Sequence, residues 1–456
     1  MYDQAQLLAG IDVGSISFCS TVAVRERGGV LRYLAHGSTP AAGIRAGTIT
    51  DSQALTESFR LALEELARLV GAPTPDVILS VSGAQLTPVE RQGSCRLELA
   101  TPVCNDDVTR ALPSVDDTQL EGGYPIHRVV RSMLLDGQPA LDPTGRIGKR
   151  LEVTTRDYLA PLAWLNALRG ALEAAGGRLH ALVPSGVAAA AATLTDAERA
   201  SGVVLADIGG LTIDVAIYSQ QTLRELISIP FGGQHITLDL AQVLDITQAD
   251  AEVLKWRHGA ADPFNVATPG IEWGARGIAT LQRQAHEGRA PAAAIQAIAG
   301  ARWRLMLEEL VSAVAATGLN LRLDAPAGIV LTGGGAKLHG SDAIAADTLG
   351  VPARCAGVRA AAGFPEIPDP SASASVGLVR YCAGRLLDPP SAPIQASRRG
   401  RAAAGARSSA TAPAAFGHNA FISVSGRSLV RMHAPQGWGR WMANWMREFI
   451  PARALD

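Results

Sequence analysis

An α/β fold that uses one structural unit twice is what the sequence predicts, and three observations carry it. The apolar run, tight turn and apolar run at residues 8–24 return at residues 203–218. Helix-then-strand alternation flanks both copies. Three glycine turns sit where strands end: Asp12-Val13-Gly14-Ser15, Asp207-Ile208-Gly209-Gly210-Leu211-Thr212 and Gly333-Gly334-Gly335.

In chain order, LLAGIDVGSISFCSTVAV reads as two β-branched-rich runs joined at Asp12-Val13-Gly14-Ser15, a hairpin signal. Residues 51–70 start with a cap-like Asp51-Ser52 and repeat Leu55, Phe59, Leu61, Leu63, Leu66 and Val70 at helical spacing. The strand DVILSVSG follows. Residues 86–163 then change character, with polar stretches, Pro-Gly punctuation and short strand-like runs (RVVRSMLL, RLEVTTRDYL), which predicts an inserted subdomain. From Trp164 the helix-then-strand pattern resumes, and Pro184-Ser185-Gly186 leads into an Ala-rich helix ending near Leu194. GVVLADIGGLTIDVAIYS is the second hairpin. A helix around residues 302–323 precedes GIVLTGGGAKLHG, a buried-type strand that delivers three glycines to a following helix.

The chain's 456 residues are about three times the usual ~150-residue domain, so more than one domain or subdomain is expected. With 47% apolar and 18% charged residues, the composition is that of a chain that folds. The net charge of −1 conceals an asymmetry. Residues 386–436 carry six Arg against one Asp, and residues 437–456 carry three Arg against Glu448 and Asp456. Those stretches hold +5 and +1, which leaves −7 on the rest. An acidic body with a basic tail suggests an anionic partner, membrane or nucleic acid. The five Cys are scattered and never in C-x-x-C spacing, against a disulfide framework or a zinc site and for a reducing compartment. The N-terminus has no basic-then-apolar leader pattern and no 18-residue apolar run occurs, so any membrane contact is expected to be peripheral.

The glycine turns carry the chemistry. Asp12 and Asp207 each precede glycines that let backbone amides approach phosphate oxygens, and a pair of carboxylates suits Mg²⁺ held through water. Either turn alone also fits a plain tight hairpin. With Gly333 to Gly335 added, where a flat base or phosphate can pack on bare backbone, the set of three favours nucleotide binding.

DVGS, DIGGLT and LTGGGAKL resemble the two phosphate loops and the adenosine motif of the actin, sugar-kinase and chaperone ATPase superfamily. PSGVAAAAATLTDAE and SASASVGLVRY resemble its two connecting helices. GSTPAAGIRAGTITDSQAL, DPTGRIGKRLEV and ADAEVLKWRHG narrow the resemblance to the FtsA family of bacterial cell-division proteins, from about Leu8 to Tyr381 and again at the C-terminus.

The resemblance implies an actin-like two-lobed fold with ribonuclease H-like lobes, an inserted subdomain and a C-terminal amphipathic helix. It divides the chain into a first lobe (1–85, 164–200, 365–386), the insert (86–163), a second lobe (201–237, 305–364), a second small subdomain (238–304), a flexible basic linker (387–436) and a membrane-targeting helix (437–450). It implies ATP and Mg²⁺ in the cleft. Asp12 and Asp207 would hold the metal through water, and Gly14, Ser15, Gly209, Gly210 and Thr212 would line the phosphates. Glu252 and Lys255 would meet the ribose and base, above Gly333, Gly334 and Gly335.

Two departures from the family pattern bear on turnover. Ser17 stands where the family usually carries Lys, and Leu211 stands for a third glycine, where its side chain would crowd the γ-phosphate. No His or Glu is tied by spacing to either loop as a general base, so weak or absent ATPase activity is expected.

In GWGRWMANWMREFI, Trp438, Trp441, Met442, Trp445, Met446 and Phe449 form one helical face, with Arg440 and Arg447 on the rest. Such a face suits insertion at a membrane surface with anionic lipids; docking on the protein or on a partner is the alternative. The linker arginines would assist attraction to an anionic leaflet. Only two aromatics, Phe416 and Phe421, lie among them and neither adjoins an arginine, which argues against a nucleic-acid groove.

His235, His258 and His339 share no metal-ligand spacing, and Asp106-Asp107, Asp116-Asp117 and Glu308-Glu309 read as solvated faces. Asp214 is either a supporting contact to the second loop or structural. As function, the resemblance implies a division protein that self-associates, binds the C-terminal tail of FtsZ, anchors FtsZ filaments to the cytoplasmic face of the inner membrane and recruits later division proteins. The alternatives are an actin-like pilus-assembly protein, against which the DPTGRIG stretch and residues 437–450 discriminate, or a catalytic ATPase or kinase of the same superfamily.

Overall fold

The computed structural model describes residues 6–26, 30–72, 76–98, 100–114, 123–261, 274–361 and 363–385. The linker and the amphipathic helix expected at 387–450 lie outside the described residues.

β1 (Gln6–Val13) and β2 (Ser17–Arg25) form the predicted hairpin, with Asp12 opposite Cys19. β3 (Leu31–Pro40) extends it, and the short strands β4 (Ile44–Arg45) and β5 (Thr48–Ile49) lead to α1 (Ser52–Val70). Asp51 caps α1 by accepting the Gln53 and Ala54 amides at 2.9 and 3.1 Å, and Gly71 ends it in the left-handed conformation. Leu55, Phe59, Leu63 and Leu66 are buried, but Leu61 points outward because six residues on from Leu55 is the far side of the helix. β6 (Val77–Val81) then pairs in parallel with β1.

The insert follows as β7 (Thr87–Arg96), α2 (Asn105–Ala111), β8 (Tyr124–Leu135), β9 (Gln138–Pro139) and β10 (Arg150–Ala160), an antiparallel sheet in the order β7-β10-β8-β9. Buried Glu225, from the second lobe, ties it down. Arg156 bonds the Glu225 carboxylate and Arg131 lies 3.6 Å from it, while the Tyr158 hydroxyl accepts the Leu226 amide at 3.0 Å.

α3 (Leu162–Ala174), β11 (Leu179–Pro184), α4 (Ser185–Thr193) and α5 (Asp196–Ser201) complete the first half, whose sheet runs β11-β6-β1-β2-β3. The second half repeats it. β12 (Val203–Ile208), β13 (Ile213–Ser219) and β14 (Thr222–Ile229) are followed by α6 (Gly233–Leu244), α7 (Gln248–His258), α8 (Ala275–His286), α9 (Ala292–Ala316) and α10 (Leu321–Asp324). β15 (Ile329–Thr332), α11 (Ser341–Leu349), β16 (Ala353–Cys355) and α12 (Ser373–Arg385) end the described chain. The second sheet runs β14-β13-β12-β15-β16, so each sheet has two antiparallel pairings on one side of its central strand and two parallel pairings on the other.

α4 and α12 cross between the lobes at very close range. A Cβ on Gly377 would fall 1.7 Å from the Ala188 carbonyl oxygen, so only glycine permits this approach. Two expectations need correction. α9 begins ten residues before the expected 302 and runs unbroken through the boundary drawn at 304/305. Ile295, Ile298, Trp303 and Met306 are all buried along it, so the helix serves both subdomains. Nor does the glycine run open an α-helix: Gly334–Lys337 form a single 3₁₀ turn and α11 starts only at Ser341. Gly333 and Gly340 adopt φ of 83° and 74°, which an α-helix cannot propagate.

Candidate functional site

β1 and β12 are the central strands of their sheets, and each carries an aspartate as its next-to-last residue, before a turn at a cleft of about 1010 Å³ between the lobes. The cleft gathers every position singled out from the glycine motifs. Asp12, Gly14 and Ser15 come from the β1–β2 turn, and Asp207, Gly209, Gly210 and Thr212 from the β12–β13 turn. Glu252 and Lys255 come from α7, and Gly333 to Gly335 from the end of β15.

Three acids converge at the base. Asp12 accepts a hydrogen bond from the Ser80 hydroxyl at 2.7 Å, and that same hydroxyl oxygen accepts the Val13 amide at 2.7 Å, fixing the strand end. Asp214 of β13 accepts the Gly83 amide at 3.0 Å and the Ser82 hydroxyl at 3.1 Å, a bond from the second lobe to the first. Burial raises the carboxyl pKa of all three: Asp214 rises to about 6, and Asp207 goes well above its usual value because the charges of Asp12 and Asp214 add to its burial. None of the three is ion-paired among the described residues, and no group of three or more His, Cys, Asp or Glu side chains there forms a direct metal cage. Two buried acids without a cation, facing a cleft, fit Mg²⁺ held through water and by ligand phosphates.

The glycines make the cleft possible. A Cβ on Gly210 would fall 2.3 Å from Ile16 Cγ1, so the two hairpin turns meet only because Gly210 has none. One on Gly335 would fall 2.5 Å from Ile208 Cγ2, whereas above Gly334 nothing lies within 4 Å. Lys255 Nζ lies 2.8 Å from the Glu252 carboxylate and donates to the Gly233 carbonyl at 3.1 Å and to Thr237 Oγ1 at 2.9 Å. The Thr237 hydroxyl in turn donates to Glu252. Lysine and glutamate therefore form one preset unit on the cleft wall.

Some details differ from expectation. Ser15 Oγ accepts the Ala46 amide at 2.9 Å, which braces its turn and leaves the hydroxyl hydrogen to donate. Leu211 is not part of the cleft wall: it is buried at 6% exposure, because Gly209 and Gly210 face the cleft and the next side chain falls to the core. The crowding expected of it does not arise. Lys337 is engaged by Asp369 at 2.7 Å. Trp256, Gln296 and Asp369 also line the cleft and were not singled out from the sequence. Only Trp256 had a signal, since Glu252, Lys255 and Trp256 stand at i, i+3 and i+4.

Two sheets of one topology, crossed by two connecting helices around a carboxylate- and glycine-lined cleft, define an actin-like two-lobed protein. The family model described as cell division protein FtsA matches residues 204–377. Over 388 residues the chain is 25% identical to cell division protein FtsA of Escherichia coli (strain K12), covering 82% of this chain and 90% of that one. It is 27% identical over 379 residues to cell division protein FtsA of Bacillus subtilis (strain 168), covering 82% and 83%. Among solved structures, the PilM-PilN type IV pilus biogenesis complex superposes with a TM-score of 0.52 at 17% identity, over 84% of this chain and 99% of that one, a likeness of fold alone. The chain is thus similar to cell division protein FtsA, the family its motifs resemble.

Proposed function

We propose that this chain is a cell-division protein that binds ATP with Mg²⁺, self-associates and anchors FtsZ filaments to the cytoplasmic face of the cell membrane, where later division proteins are recruited. The observation that carries this reading is the convergence of twelve motif residues on one interlobe cleft in a chain similar to FtsA.

Within the cleft, the exposed backbone of Gly14, Gly209 and Gly210 would meet phosphate oxygens, and Asp12 and Asp207 would hold water-bound Mg²⁺. The bound metal supplies positive charge against the phosphates and relieves the repulsion between the two acids. Lys255, already fixed by Glu252 and Thr237, would hold the sugar and base side. Asp214 bonds Ser82 and Gly83 across the lobes, so a ligand seated against Asp207 would alter how firmly they are held together. With no general base tied to either turn, the nucleotide serves as a conformational ligand more than as a substrate.

Membrane attachment would reside in Trp438, Trp441, Met442, Trp445, Met446 and Phe449, with Arg440 and Arg447 at the headgroups. Among the described residues no helix is long and apolar enough to cross a membrane. Flotation of FtsZ with anionic liposomes tests the adaptor role, comparing the full chain with a version ending at Pro435. FtsZ should float only with the full chain. If it stays at the bottom with both, the adaptor role is wrong.

A further inference from the structure

Trp256 is 81% exposed, the most exposed of the large apolar side chains on the second lobe's helices and strands. It does not lie on an outer face: it lines the cleft, one helical turn after Glu252 and next to Lys255. The bare glycines of the β15 turn line the same cleft, and a Cβ on Gly233 would lie 3.9 Å from Lys255 Nζ, the neighbour of Trp256 in the chain. A Cβ on Gly334 would meet nothing within 4 Å, and a Cβ on Gly233 would meet the Gly335 backbone at 3.5 Å. The lining of this cleft thus includes both bare polypeptide backbone and an indole with exposed π-surface. A planar, uncharged aromatic ligand group can use both, while phosphate would not use the indole face.

We infer that Trp256 stacks on the base of the bound nucleotide and supplies most of the base's share of affinity, without choosing between purines. This rests on the nucleotide reading of the cleft. Glu252, Gly233 and Thr237 already engage the ammonium of Lys255, and Thr237 and Lys255 share one oxygen of Glu252, so ring stacking is the largest attraction left for a base at this wall. Stacking is indifferent to base identity because every base has a π-face.

Three ligands separate the inference from the reading beneath it: MgATP, MgGTP and Mg-tripolyphosphate, titrated against the full chain, Trp256→Ala and Trp256→Phe. Because the side chain is so exposed, both variants should melt like the parent, which circular dichroism checks. Trp256→Ala should bind MgATP and MgGTP roughly 5- to 100-fold more weakly, with the ratio between them unchanged. Trp256→Phe should restore most of that loss, and tripolyphosphate should bind all three proteins alike. MgATP should quench indole fluorescence in the parent, and this quench should vanish in Trp256→Phe. Parental MgATP affinity in Trp256→Ala overturns the inference while leaving the cleft a nucleotide site. Failure of the parent to bind any of the three ligands overturns the nucleotide reading and the inference with it.

Discussion

A Cβ on Gly333 would lie 2.2 Å from the Asp207 carboxylate oxygen, so the backbone at the end of β15 closes directly over the acid at the end of β12. The two strands are parallel partners, with Asp207 paired to Thr332, and the register delivers the glycine to the carboxylate. Gly333 also holds φ of 83°, so a side chain there meets both strain and a clash.

Gly333→Ala should therefore cost at least about 2 kcal/mol of stability and displace Asp207. Urea unfolding measures the first effect and MgATP titration the second. A variant with parental stability and affinity would show that the contact is not rigid.

Asp214 gives the ligand-free protein a pH dependence. Its carboxyl rises from the usual 3.8 to about 6, so the folded chain holds this proton more tightly than the unfolded one. Its contribution to stability is full below about pH 4 and is lost as pH rises through 6, a change of order 3 kcal/mol. Asp214→Asn keeps an acceptor for Gly83 and Ser82 but cannot ionise. Between pH 4.5 and 7.5 its melting temperature should gain on the parent's, whereas parallel curves would show that Asp214 carries no such shift.

Asp239 of α6 and Arg302 of α9 form a buried pair at 2.7 Å, both under 9% exposed. Arg302→Met leaves a buried carboxylate without its cation and should cost roughly 3 to 5 kcal/mol. Adding Asp239→Leu should recover most of that loss, because the packed apolar pair carries no desolvation cost. Urea unfolding of the three proteins reads the cycle, and equal losses in single and double variants would mean that packing rather than charge is at stake.

Where local chemistry dominates, the sequence was readable. Asp51 announced the start of α1, and β-branched runs around glycine announced both hairpins, because caps and turns depend on neighbours in the chain. The true start of α9 was hidden because AAAIQAIAGA has little amphipathic phase and is helical through burial against other elements. Leu211 misled for a related reason, since a turn's sequence does not say which side chain faces the cleft and which faces the core. Lys337 lies within LTGGGAKL, yet its ion-pair partner Asp369 stands 32 residues away. Trp256 shares the helical spacing of Glu252, but only the folded arrangement shows that this face meets the cleft.

Calorimetric titration of the intact chain with MgATP tests the central claim most directly. One saturable site per chain is predicted, dependent on Mg²⁺ and weakened about tenfold or more by Asp207→Asn, the isosteric change that removes the buried charge. No binding at millimolar MgATP, or affinity indifferent to Mg²⁺ and to Asp207→Asn, would contradict the account.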